Sequence, residues 1–135
     1  MQQDQDIIAA DVRRALNTWQ RRQFQYGDSD CCSFVAHILT NLTGRDYSSL
    51  VTYKNQQEAD FIIESYGGFE NLIDDILGEP GKPNNGDPVM VKLPVIGKTM
   101  GIKLNDSVVC VTKKGLGQFP SRYIIRGWSV CHRQS

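Results

Sequence analysis

Two adjacent thiols, Cys31 and Cys32, open an apolar-periodic segment in the run Asp30-Cys31-Cys32-Ser33-Phe34-Val35. A cysteine in the first turn of a helix meets backbone N–H groups that lack intrahelical partners and the positive end of the helix dipole. Both favour thiolate over thiol, and thiolate is the nucleophile. Cys31 is therefore the candidate nucleophile, and Asp30 reads as the N-cap of its helix. Thiol catalysis also needs a base to accept the proton and a group to orient that base. The chain has two histidines. His37 follows Cys31 on the same predicted helix, about 9 Å along the axis and roughly 120° around it, which removes it as a partner. His132 lies in the tail Cys131-His132-Arg133-Gln134-Ser135 and reaches the thiol only if the terminus folds back. The competing reading of Cys31 is a small buried residue facing a sheet.

The elements that must position these groups follow from periodicity. Ile8, Val12, Ala15, Leu16 and Trp19 recur at helical spacing, with Asp4 or Asp6 as the expected N-cap and Arg13, Arg14, Arg21 and Arg22 on a solvated face. Gly27 and Asp28 break the pattern. A second helix begins near Ser29 or Asp30 with the stripe Phe34, Val35, Ile38, Leu39 and Leu42. Cys31 falls near the centre of that stripe and Cys32 beyond its edge, beside Leu39. Thr43-Gly44 supplies the stop, with Gly44 suited to a left-handed position. Asp46 to Tyr53 reads as a loop. Gln56 to Tyr66 reads as a helix with Ala59, Phe61, Ile62 and Ile63 partly apolar, and Phe69 to Leu77 as a short amphipathic helix closed by Gly78.

After the loop Glu79 to Gly86 the period changes. Short β-forming runs follow at Val89–Leu93, Met100–Leu104, Val108–Thr112, Gly117–Phe119 and Tyr123–Val130, separated by turns such as Asn105-Asp106 and Lys113-Lys114-Gly115. Helices first and an antiparallel meander or small half-barrel second is an α+β layout. It forms a single domain over 1–135, helical over about 5–78 and sheet over about 87–131. Trp128 reads as core, and Asp87 as the residue fixing the turn into the first strand.

Composition narrows the function classes. Fifteen basic residues balance fifteen acidic ones, so net charge gives no reason to expect a nucleic-acid or anionic-membrane partner, although a local patch stays open. No apolar run approaches the roughly 20 residues of a membrane helix, and the polar start Met1-Gln2-Gln3-Asp4-Gln5-Asp6 is unlike a signal peptide. The cysteines at 31, 32, 110 and 131 lack the spacing of a zinc site, and no acidic cluster has the spacing of a calcium loop. Neither a metal nor a cofactor is expected. Cys110 and Cys131 lie in strand-like runs and are read as small buried residues in a reducing compartment, with a disulfide between them as the alternative.

Asp30-Cys31-Cys32-Ser33-Phe34-Val35 resembles the Asp-Cys-Ser-Gly-Phe-Val motif of the NlpC-type papain-like cysteine peptidases, which cleave peptidoglycan stem peptides. Gly86-Asp87-Pro88-Val89 is similar to their Gly-Asp-Leu-Val strand, and Gly101-Ile102 to the end of their His-Val-Gly-Ile strand, which carries the catalytic histidine. Small phage proteins of this fold are closer still. Their pattern matches Phe24-Gln25-Tyr26-Gly27-Asp28-Ser29-Asp30-Cys31-Cys32-Ser33-Phe34, Thr43-Gly44-Arg45-Asp46, Gly86-Asp87, Gly101-Ile102 and Gly127-Trp128. The resemblance implies a papain-like core with Cys31 at a helix start against the sheet, and Tyr26 either pointing into a cleft near Cys31 or packed. It also places Thr99 where the histidine should stand, and threonine is not a general base near neutral pH.

The resemblance therefore implies a structural or assembly component of a phage tail, in the tail tip or baseplate region, built on a degenerate peptidase fold. Its expected partners are other phage tail proteins, with a peptidoglycan peptide as a further candidate. No nucleic acid and no membrane insertion are expected, and its expected location is the virion after synthesis in the host cytoplasm. Two alternatives stand beside this. One is an active peptidoglycan-cleaving cysteine peptidase or amidase used during genome entry, with its base supplied from elsewhere. The other is a non-catalytic peptide-binding module.

Overall fold

Asp30 sets the geometry of the helical half. Its backbone is extended and its carboxylate accepts the Ser33 N–H at 2.8 Å, so it caps the helix that begins at Cys31. The computed structural model describes residues 2–20, 30–50 and 52–130, with side chains from residue 6 onward. Over these residues the chain forms α1 (Gln2–Trp19), α2 (Cys31–Thr43), α3 (Gln56–Ser65) and α4 (Phe69–Leu77). The strands β1 (Pro88–Leu93), β2 (Gly97–Leu104), β3 (Ser107–Thr112), β4 (Gly115–Pro120) and β5 (Ile124–Gly127) follow, with a 3₁₀ turn at Ser121–Tyr123 before β5. The α+β layout expected from the change of period is the one observed.

The caps explain the boundaries. Gly44 takes a left-handed φ of 79° and its N–H returns to the Thr40 carbonyl, which ends α2 where the sequence placed the stop. Asn55 caps α3 by accepting the Glu58 N–H at 2.9 Å, while the Glu58 carboxylate reaches back to the Lys54 N–H at 2.8 Å. Helix α1 starts earlier than expected. Asp4 and Asp6 lie within it, so neither is its N-cap. Phe61 is also corrected: it faces solvent, and α3 packs through Ile62 and Ile63 instead.

The strand order is β4-β3-β2-β1-β5. The first four strands form a meander, and the fifth returns to pair with β1 in antiparallel register, Val89 opposite Gly127. Four strand spacings separate β4 from β5, roughly 19 Å in a flat sheet, whereas a single 3₁₀ turn advances about 6 Å. The sheet must therefore curl, which makes it a half-barrel. Its concave filling is Val89, Val91, Leu93, Val108 and Cys110, with Phe119, Tyr123 and Ile124 against them. The other face carries Met90, Met100, Ile102, Leu104, Val109 and Val111, packed on Phe34, Val35, Ile38 and Leu39 of α2 and on Trp128.

The run expected as a strand from Tyr123 to Val130 is shorter, because Tyr123 belongs to the 3₁₀ turn and the Val130 N–H goes to a side chain instead of a neighbouring strand. Asp87, fully buried, accepts the Asn84 N–H at 2.8 Å and the Val130 N–H at 3.0 Å, so it fixes the turn into β1 and also ties down the chain beyond β5. Trp128 is core, with its indole N–H donating to Asp74 at 3.1 Å beside the two-point Arg126–Asp74 pair. Asn105, at φ 57°, makes the β2–β3 turn.

Candidate functional site

Cys31 is the first residue of α2, and the sheet is open where it arrives. The β2–β3 register ends at the Ile102–Val109 pair, although β2 reaches back to Gly97 and β3 on to Thr112. The released stretch of β2 contains Thr99 and Met100, and the Thr99 hydroxyl and the Met100 backbone N–H both lie near Cys31 and favour its thiolate. The glycine that follows is required by close approach. A Cβ on Gly101 would lie 2.6 Å from Cys110 Sγ, 2.6 Å from Val108 Cγ1 and 2.7 Å from the Val109 carbonyl.

Cys32 Sγ lies 3.9 Å from Cys31 Sγ. Behind the pair is a contact the sequence did not signal. The Tyr53 hydroxyl donates to the second oxygen of Asp30 at 2.5 Å, which brings Tyr53 near Cys32. Asp30 is thus a capping residue with both oxygens committed, buried to 3% exposure. Tyr53 stands at the end of a segment read as a loop, and only tertiary folding brings it to a residue 23 positions earlier.

The electrostatics follow from these contacts. The Cys31 thiol is lowered from its ordinary value to about 7, first by the bond from Cys32 and then by Thr99 and the Met100 N–H, against burial and the Asp30 carboxylate, which both raise it. Cys32 is the partner that keeps its proton: donation to Cys31 and burial push its thiol up. Burial pushes Cys110 up to about 12, with a further push from the nearby Cys31 charge. Burial, followed by the charges on Cys32 and Asp30, raises the Tyr53 phenol well above its usual range. The pair therefore holds one shared proton and one reactive sulfur near neutral pH.

The structure places Cys31 beside Thr99, and His37 shares with Cys32 the lining of an apolar cavity. The His37 ring lies 5.7 Å from that of Trp19, and its Nε2 is 3.3 Å from the Asn41 amide. Tyr26, Cys131 and His132, and with the last two the Cys110–Cys131 pairing, lie outside the described residues; Cys110 is a buried free thiol. Among the described residues no cluster of three or more His, Cys, Asp or Glu could hold a metal ion, and no helix is long and apolar enough to cross a membrane.

Cys32 also lines an apolar cavity of about 330 Å³ between α2, α3, α4 and the 47–53 segment, together with Trp19, Tyr53, Ile62, Leu72 and Met100. The arrangement can stabilise a thiolate and shelter an apolar group beside it. His37 also lines this cavity, with its ring beside Trp19 and its Nε2 at the Asn41 amide.

Comparison with curated proteins gives no match. Residues 6–130 match the family described as DUF6950, a domain of unknown function. That match spans most of the chain, which therefore belongs to the DUF6950 family.

Proposed function

We propose that the chain is a structural or assembly component of a phage tail, built on a degenerate papain-like cysteine-peptidase fold and carried in the virion with other tail proteins as its partners. The observation that carries the non-catalytic part of this reading is the Thr99–Cys31 contact. In the peptidases this chain resembles, the strand position two residues before the Gly-Ile pair presents the base to the nucleophile. Here that position holds a hydroxyl, which accepts no proton near neutral pH. The loss forfeits a contribution of about 10²–10⁴-fold in rate. The tail assignment itself rests on the ordered set of short motifs from Phe24 to Trp128. The test is the protein inventory of purified virions of a phage that encodes this chain. A fixed copy ratio to the other tail proteins is expected, and absence from virions contradicts the role.

A second reading has its own observation. The Cys31 thiol near 7 is largely ionised just above neutral pH, as a nucleophile requires. An active peptidase or amidase would need its base from a neighbouring subunit or from outside the described residues. Cleavage of peptidoglycan stem peptides that disappears in Cys31→Ala would establish it.

A further inference from the structure

The β1–β2 turn is an exposed apolar knob that the fold does not use. Val95 is fully exposed at 108% and Ile96 is half exposed at 51%. The Ile96 N–H donates to the Pro94 carbonyl at 2.7 Å and Val95 has φ 67°, which makes the tip a three-residue γ-turn with a β-branched residue in the left-handed region. Asparagine, aspartate or glycine would relieve this conformation, and an apolar side chain held in it faces only solvent. The same molecule also carries an apolar recess. The cavity beside Cys32 is open to the surface and walled by Trp19, Ile62, Ile63, Phe69, Leu72 and Met100. Phe61, 72% exposed, lies on the outer side of the same helix wall.

Charge matches shape. Helices α3 and α4, which form that wall, carry Glu58, Asp60, Glu64, Glu70, Asp74 and Asp75 and neither lysine nor arginine. At the knob, Lys92 and Lys98 oppose each other across the β1–β2 ladder, an unfavourable like-charge pair only partly answered by the Lys98–Glu70 bridge. Lys113 and Lys114 lie in the β3–β4 turn at the same end of the sheet and are exposed. Glu70 is paired with Lys98 and Asp74 with Arg126 in the same chain; Glu58, Asp60, Glu64 and Asp75 make the helical wall acidic, against Lys92 and Lys114 at the strand end.

We propose that the Pro94–Ile96 knob of one copy seats in the apolar cavity of a second copy of this chain, with the lysines at its base facing the acidic wall. A knob and a recess at different places on one surface allow either a reciprocal pair or head-to-tail growth, and the assembly mass distinguishes them. The inference goes beyond the proposed role and stands or falls without a virion.

The test is sedimentation equilibrium of the full chain from about 1 to about 100 µM, with Val95→Asp and Ala59→Trp as variants. Val95 is fully exposed, so Val95→Asp removes the apolar tip without touching the core and should fold like the parent. Tryptophan at Ala59, which lines the cavity, should plug it. The wild-type average mass should rise with concentration, and Val95→Asp should raise the dissociation constant at least about tenfold. The Val95→Asp comparison stands by itself if Ala59→Trp does not fold. A mass that stays monomeric throughout, or Val95→Asp associating like the wild type, overturns the proposal.

Discussion

Thr99 lies beside Cys31 where β2 parts from β3, and its hydroxyl favours the thiolate. That contact defines the site. It stabilises the thiolate without supplying a base, and it occupies the place from which a base would act.

Thr99→Val keeps the shape of the side chain and removes the donor. The pH midpoint for alkylation of Cys31, expected near 7 in the parent, should move up toward the ordinary thiol value. Asp30→Asn should move it the other way, because the carboxylate opposes the thiolate and asparagine is an equally good cap. Rates of iodoacetamide labelling across pH 6–10, about the thiol range, measure both. Shifts of the same sign in the two variants would contradict the assignment.

Cys110 should resist labelling at pH values where Cys31 reacts, since burial holds it near 12. Peptide mapping after brief alkylation near pH 7.5, about half a unit above the Cys31 midpoint, should find modification at Cys31 first. Equal extents at the two sites would count against the described burial.

Gly101→Ala should destabilise the fold by about 2–3 kcal/mol or prevent folding, because the added methyl meets the Val109 carbonyl and two side chains of β3. Gly81→Ala, where nothing lies within 4 Å, is the control and should be close to neutral. Urea midpoints of the two variants provide the comparison.

Asp74 sets an acid limit. The Arg126 guanidinium, followed by the Trp128 indole N–H, holds its carboxyl below the usual carboxylate value. A lowered folded value contributes stability that is complete above the unfolded value of about 4 and is lost as pH falls through the folded one. Asp74→Asn should therefore lower stability at neutral pH and flatten the loss of stability below about pH 4. Denaturant midpoints from acid to neutral pH test this; an unchanged acid limb in the variant would contradict it.

Much of this was legible in the sequence because it is local. Asp30, Gly44 and Asn105-Asp106 act on backbone within a few residues, so the start and stop of α2 and the β2–β3 turn could be read from residue type. Thr99 was legible through its fixed distance from Gly101-Ile102. Tyr53 was not, because its contact with Asp30 joins residues 23 positions apart and forms only in the tertiary fold. The pairing of β5 with β1 was also hidden, since it depends on the curl of the whole sheet. The helix-start geometry gave the correct direction for Cys31, but the largest cause is the neighbouring thiol of Cys32, which the sequence reading treated as packing. Val95 gave no signal either, because nothing in its type favours the left-handed turn it adopts.

The most direct measurement is turnover of purified peptidoglycan stem peptides by the full chain and by Cys31→Ala, followed by mass spectrometry from about pH 6 to about pH 9. With Thr99 in place of a base, the two proteins should give the same product level, at the background of the buffer. Release of cleaved peptide by the wild type that is abolished in Cys31→Ala would contradict the account.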